Sequence, residues 1–262
     1  MNHTPENWGR PRDDIYGFYD KSFLQNTGGA QQHTTRPVVT GTSVVALKYN
    51  GGVVMAADNL ASYGSLARFT DIKRIKQVGD HTIVGAGGDI SDMQYLFDKL
   101  LESVLIKEEY QNDGHALRAP HIYSYLARVL YNRRCKFNFL WNSILVAGYD
   151  DEKKPFLASA DLLGTRFSSP ALASGYGAQL AIPILRKIAP DEASVTKITK
   201  EQAIEAIKLC MKVLFYRDAR SMNKYSLAVI SEEGVDLTHG VALENESWKF
   251  AETVRGYGAQ TV

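Results

Sequence analysis

Few side chains stand in arrangements that could make or break a covalent bond, and the first worth weighing is a threonine. Gly41-Thr42-Ser43 opens a β-rich run, and Asp58 ends the next such run in Ala56-Ala57-Asp58. A threonine hydroxyl is a poor nucleophile until a base removes its proton. A threonine at a chain terminus carries that base itself, because its free α-amine has an ordinary pKa of about 7.7–8.0. Chemistry of this kind requires cleavage between Gly41 and Thr42, a carboxylate on the neighbouring strand and a cation close by. The plain alternative is an ordinary strand threonine.

Other chemistries find less support. Gly85 and Gly87 supply two places of a dinucleotide fingerprint, but Ile90 occupies the third; Gly175 and Gly177 fail in the same way at Leu180. No Gly-Lys-Ser/Thr exists to hold a phosphate, and no G-x-S-x-G elbow is present. His3, His33, His81, His115, His121 and His239 are scattered, and Cys135 and Cys210 lie far apart, so neither a metal site nor a cofactor is expected. Cys135 lies in Arg133-Arg134-Cys135-Lys136, a setting that lowers a thiol pKa, although a structural cysteine at a helix end reads better.

The elements that must position Thr42 and Asp58 follow from patterning. Thr42–Lys48 and Gly52–Asp58 are short strands joined through Asn50-Gly51, a hairpin turn signal. A third strand, His81–Ala86, runs through Gly87-Gly88-Asp89 into a helix whose inner stripe is Met93, Leu96, Phe97, Leu100, Leu101, Val104 and Leu105. A second helix begins at Pro120 and points Ile122, Leu126, Val129 and Leu130 inward. Strands return at Ser143–Tyr149 and Phe156–Ala160. A third helix follows Ser174-Gly175-Tyr176-Gly177, and a fourth runs from Lys200 to Tyr216 with Thr199 and Gln202 as its capping box. Tyr225–Ile230 and Val235–Thr238 form a last hairpin. Strands alternating with helix pairs argue for antiparallel sheets covered by helices, an α+β architecture, and against a Rossmann core.

Composition narrows the partners. The chain has 262 residues, with 30 Lys+Arg against 29 Asp+Glu, so no basic footprint for nucleic acid is expected, and the cluster Lys73, Arg74, Lys76 reads as a solvated strand edge. No segment offers about 18 consecutive apolar residues, and no membrane span is expected. Two cysteines make no disulfide framework and suit a reducing compartment. Residues 1–41 are rich in Asn, Gln, Gly, Pro and Thr, lack a period, and hold the aromatic patch Tyr16, Phe18, Tyr19 and Phe23. The polar tail Glu244–Val262 spaces Trp248, Phe250 and Tyr257 along its length, which fits either a frayed end or an arm that anchors on a partner.

Thr42–Asp58, TSVVALKYNGGVVMAAD, resembles the first hairpin of proteasome β subunits. The resemblance continues through Gly87-Gly88-Asp89-Ile90-Ser91-Asp92, Ser174-Gly175-Tyr176-Gly177 and Tyr216-Arg217-Asp218-Ala219-Arg220-Ser221. It extends to non-catalytic members through Thr34–Gly41, Asn59–Ser65 and Arg255–Gln260. It implies a four-layer αββα sandwich of the N-terminal nucleophile hydrolase type, with a leader over 1–33, one domain over 34–243 and a C-terminal arm over 244–262.

It further implies that Thr42 falls at the nucleophile, Asp58 at the carboxylate, Arg74 at the catalytic lysine and Gly88 at the oxyanion-hole glycine. Ser174, Asp218 and Ser221 fall around the terminal amine, while Leu60 and Met222 replace an arginine and a glycine. Lysine shifts its pKa readily, whereas arginine is a bulky planar fork that does not deprotonate in proteins. A leader cut before Thr34 or Thr35 would leave Thr42 without an α-amine. The resemblance therefore implies a non-catalytic subunit of the 20S core, in cytoplasm and nucleus, contributing to ring assembly and the proteolytic chamber. Its partners would be other β and α subunits, the opposite β ring through Trp248, Phe250 and Tyr257, and assembly chaperones. Asp58 would bridge Arg74. Two readings stay open: an active N-terminal threonine peptidase using Thr42, and a free-standing amidohydrolase of the same fold.

Overall fold

The computed structural model describes residues 33–111 and 116–252. Contacts within the chain divide it into Met1–Thr34 and Thr35–Val262. The fold belongs to the second unit, and most of the expected leader, including its aromatic patch, lies outside the described residues.

Two antiparallel sheets face each other. Strands β1 (Val39–Gly41), β2 (Val44–Tyr49), β3 (Gly52–Asp58), β4 (Ala61–Tyr63), β5 (Leu66–Phe69), β6 (Ile75–Gln77) and β7 (Thr82–Asp89) come first. Then follow α1 (Ile90–Tyr95), a π-helical segment (Leu96–Leu101), α2 (Glu102–Gln111) and α3 (Ala119–Cys135). Strands β8 (Asn142–Tyr149), β9 (Pro155–Ala160), β10 (Arg166–Ser168) and β11 (Ala171–Ala173) precede α4 (Gly177–Leu180), α5 (Ile182–Ile188), α6 (Glu192–Val195) and α7 (Lys200–Arg217). The last hairpin is β12 (Lys224–Ser231) and β13 (Gly234–Ala242). The eight-stranded sheet runs β10-β9-β8-β7-β1-β4-β5 with β6 also on β7, and the five-stranded sheet runs β11-β2-β3-β12-β13.

The layers follow from strand alternation. In β2, Val45, Leu47 and Tyr49 face the helices α4 to α7, while Val44 and Ala46 face the other sheet. In β3, Val54 and Ala56 turn to the helices, and Val53, Met55 and Ala57 turn to the other sheet. Both faces are buried, so these strands read as continuous apolar runs. Ile83, Leu145 and Leu157 close the layer between the sheets. Met93, Leu96, Phe97, Leu101, Ile122, Leu126 and Leu130 pack the first helix group onto Val84, Ile144 and Val146. The result is the expected αββα sandwich.

Local rules place the ends. Gly51 takes φ +90° in the β2–β3 turn, a conformation that Asn-Gly supplies without strain. Thr199 and Gln202 cap α7 reciprocally, with Gln202 N–H donating to Thr199 Oγ1 at 3.3 Å and Thr199 N–H to Gln202 Oε1 at 3.0 Å. Helix α3 stops in a Schellman motif: Asn138 N–H donates to Arg133 O at 3.1 Å and Phe137 N–H to Arg134 O at 3.0 Å. The left-handed position of that motif suits glycine, yet Phe137 holds it at φ +50°, a conformation costing an L-residue about 1–2 kcal/mol.

Several expectations require correction. Arg74 is fully buried, not part of a solvated edge; Lys73 is exposed and Lys76 half-buried. Thr42 does not open a strand. It and Ser43 link β1, in the eight-stranded sheet, to β2, in the five-stranded sheet. Strand β1 falls in a segment read as aperiodic, because three residues carry no period.

Cys135 ends α3 and is exposed, whereas Cys210 is buried and its thiol is pushed up to about 12 by desolvation. Under native conditions an aromatic disulfide reagent should therefore modify Cys135, and Cys210 only after denaturation. Rapid modification of both thiols in the folded protein would contradict the packing of α7.

Candidate functional site

The site lies where β1 and β6 share one edge of β7. Strand β6 pairs with Ile83–Gly85 and β1 with Gly88–Asp89, while β8 occupies the opposite edge. Between them β7 leaves Ala86 and Gly87 without a strand partner on that edge, and Arg74, the residue before β6, fills the gap. Ala86 N–H donates to Arg74 O at 2.9 Å, and Arg74 Nη1 donates to Ala86 O at 3.3 Å.

The rest of the guanidinium is equally engaged. Nε donates to Asp58 O at 2.9 Å, Nη1 to Thr42 O at 3.0 Å and Nη2 to Ser43 O at 2.8 Å. Nη2 also donates to Asp58 Oδ1, an ion pair between two buried side chains. Arginine has five N–H donors, and these contacts use all five. Charge-assisted bonds of this kind are what allow a cation to sit in a protein interior. Burial pushes the Asp58 carboxyl above the usual carboxylate range, and the charge and hydrogen bond of Arg74 pull against that shift.

Thr42 has a different set of partners. Its hydroxyl donates to Asp218 Oδ2 at 2.5 Å and lies 3.5 Å from Ser43 Oγ. Its nitrogen belongs to the peptide bond with Gly41, and an amide nitrogen, its lone pair delocalised, is no base. Ser174 Oγ accepts from Val44 N–H at 3.0 Å, and Ser43 Oγ accepts from Gly177 N–H at 2.8 Å, so the start of β2 is tied to the start of α4. Ser221 Oγ donates to Leu214 O at 3.0 Å and to Asp218 O at 2.7 Å. Ser221 therefore shapes the end of α7 that carries Asp218, and its hydroxyl bonds to that helix end rather than to Thr42. Leu60 is buried and Met222 half-buried.

Gly88 pairs with Gly41 on one side and Asn142 on the other, at φ +91°. A Cβ there would stand 2.1 Å from Trp141 O. Gly41 is held equally tightly, because a Cβ on it would lie 2.5 Å from Arg74 Cδ. Strand β1 is paired on both edges, Thr40 with Ser62 of β4 and with Asp89 of β7. Val38 N–H donates to Asp89 Oδ1 at 3.0 Å, while Asp89 Oδ2 caps α1 through Asp92 N–H at 3.1 Å. A cleft of about 440 Å³ opens beside these atoms, lined by Thr40, Thr42, Gly88, Trp141, Tyr176 and Arg220 among others. The structural roles of Gly41, Asp89 and Trp141 at the site rest on backbone approach and capping, which no side-chain pattern signals.

The C-terminal aromatics divide. Trp248 and Phe250 pack on the chain's own helix α7: Trp248 meets Tyr216 at 5.1 Å and Phe215 at 5.9 Å, and Phe250 meets Tyr216 at 5.2 Å between ring centroids. Tyr257 lies outside the described residues.

The order of the layers, and a threonine at the crossing between the two sheets, define a sandwich of the N-terminal nucleophile hydrolase class. Residues 38–230 match the family model described as "Proteasome subunit", and the chain belongs to that family. It is 50% identical to the "Probable proteasome subunit beta type-7" of Schizosaccharomyces pombe over 258 residues, covering 98% of this chain and 97% of the relative. It is 45% identical to the "Proteasome subunit beta type-7" of Saccharomyces cerevisiae over the full length of both. It is 43% identical to the "Proteasome subunit beta type-4" of Xenopus laevis, over 87% of this chain and 92% of the relative.

Replacing Arg74 should show how far the fold depends on it. Arg74→Ala strands a buried carboxylate and should lower stability by about 3–5 kcal/mol. Asp58→Asn combined with Arg74→Met should recover only part of that loss, because the four backbone carbonyls stay unmatched at about 1–3 kcal/mol each. Urea unfolding measures both variants; near-wild-type stability for Arg74→Ala would contradict the network.

Proposed function

We propose that the chain is a non-catalytic β subunit of the 20S proteasome core, completing a hetero-oligomeric ring and shaping the chamber in which neighbouring subunits cleave. The observation that carries this reading is the engagement of Arg74. At the position the family resemblance gives to a catalytic lysine, this cation spends every donor on Asp58 and on backbone carbonyls. It has none to offer the Thr42 hydroxyl. The double pairing of β1 supports the same reading, because a segment built into the sheet keeps the Thr42 nitrogen acylated and removes the base that threonine chemistry needs. The names of the relatives, beta type-7 in the two yeasts and beta type-4 in Xenopus, supply the subunit class.

In this reading a leader ending before Thr34 or Thr35 is removed by another protease. The exposed stretch Thr34–Val38 is accessible to cutting, and the paired Val39–Gly41 is sheltered. The arm beyond Glu244 reaches the opposite ring, the other partners are β and α subunits, assembly chaperones escort the chain, and the particle works in cytoplasm and nucleus.

The test begins with protein taken from its own cells. It should migrate in a particle of many hundreds of kilodaltons, and its N-terminus should be Thr34 or Thr35. An epoxyketone probe should label neighbouring subunits and leave Thr42 unmodified. Thr42→Ala should leave every peptidase activity of the particle unchanged and should lower the stability of the chain by about 1.5–3 kcal/mol, the worth of one hydrogen bond to a charged group. A mature terminus at Thr42, or a covalent label on it, would overturn the non-catalytic reading. Migration as a lone subunit would overturn the particle.

A further inference from the structure

We propose that the stop of helix α3 presents Phe137 as a docking knob for a neighbouring subunit, whose receiving pocket is apolar and rimmed by carboxylates. This rests on the reading of the chain as a subunit of a hetero-oligomer.

The observation that starts the argument is a residue in the wrong place for its own chain. Phe137 occupies the left-handed position of the Schellman motif, at φ +50°, where glycine would serve with least strain. Its ring gains little from the chain in exchange, being 81% exposed. Among the described residues the ring beside it is Phe139, meeting it edge to face at 6.4 Å, which braces the ring without covering it. Backbone strain at a bulky residue that packs against almost nothing points to a use outside the chain. A rigid aromatic with two side-chain torsions is also the kind of anchor that dominates binding energy when it fills a pocket.

The surroundings give the partner its chemistry. From His121 to Tyr149 the chain carries Arg128, Arg133, Arg134 and Lys136 and no Asp or Glu. Arg134 lies over the ring of Tyr131 at 5.5 Å and Arg133 over that of Tyr95 at 5.8 Å, so both guanidinium groups rest on aromatic faces. Among the described residues neither Arg134 nor Lys136 forms an ion pair with a carboxylate. Arg133 also faces the Asp92 carboxylate, which leaves Arg134 and Lys136 as the cations beside Phe137 in the chain with no carboxylate partner among the described residues; an exposed aromatic so flanked is complementary to an apolar pocket with an acidic rim.

The test uses cells that express a tagged wild-type chain beside a differently tagged variant, with the ratio of the two in the purified particle read by mass spectrometry. Phe137→Gly relieves the strained position, so the isolated chain should melt at the same temperature or higher, while its share of the particle falls at least about tenfold, the scale of a lost anchor. Phe137→Asp should be excluded more strongly, and Phe137→Leu should recover much of the incorporation. A photoreactive benzoylphenylalanine at position 137 should crosslink to a peptide of another subunit that contains Asp or Glu. Equal incorporation of Phe137→Gly and wild type would overturn the knob and leave the subunit reading intact. A crosslink to nucleic acid or to a second copy of this chain would overturn the stated partner. Absence of the wild-type chain from any large particle would remove both readings together.

Discussion

One buried guanidinium holds the places where four strands begin or end. Arg74, itself the residue before β6, joins the last residue of β3 through Asp58, the Thr42-Ser43 link between β1 and β2, and, through Ala86, the edge of β7 left open between β1 and β6. Removing a cation from water is costly, and the cost is offset only where geometry and hydrogen bonding are complete. Here they are complete on the cation and not on the anion, because Asp58 Oδ2 is buried with no hydrogen-bond partner. The carboxylate is the weaker half of the pair, which agrees with the upward push that burial gives its pKa.

The same arrangement decides what Thr42 can do. Its carbonyl is bound to the cation and its hydroxyl to Asp218, while its nitrogen continues into a strand paired on both edges. Structural use of the segment before Thr42 and nucleophilic use of Thr42 itself compete for one nitrogen, since the amine exists only if the strand is cut away. Asp89 shows how firmly the fold commits to the strand. One of its oxygens caps α1 and the other takes Val38 N–H, so a residue the helix needs is also a tie on the segment. The approach is close enough that Gly41 and Gly88 have no space for a side chain.

Legibility in the sequence followed the strength of local signals. The β2–β3 hairpin, the inward stripe of α3 and the Thr199–Gln202 cap of α7 were readable, because periodicity and capping are properties of neighbouring residues. Strands β1, β4, β5, β6, β10 and β11 were not, since strands of three or four residues carry no period and are placed by tertiary pairing. The family resemblance located Thr42, Asp58, Arg74 and Asp218, and the structure brings Asp58 to Arg74 and Asp218 to Thr42. Arg74 misled when read by composition, because a basic residue between Lys73 and Lys76 looks solvated. Its burial depends on five acceptors, contributed mostly by backbone, that no side-chain pattern records. Phe137 escaped for a related reason: a left-handed helix stop is signalled by glycine, and here the signal is missing while the geometry is kept.

Arg74 and Phe137 break local rules in different ways. A fully buried arginine and a bulky residue in the left-handed region are each unfavourable on their own. For Arg74 the compensation is visible within the chain, since every donor meets an acceptor and the sheets join around it. For Phe137 the described residues supply no such compensation: the motif it completes would form at least as well with glycine, and its ring faces solvent. Sequences that specify one structure keep their local choices consistent with the fold, and exceptions cluster where function acts. The internal exception marks where catalysis has given way to architecture. The external one marks a surface whose energetics are complete only in an assembly, which is the condition expected of a chain that works as one subunit among many.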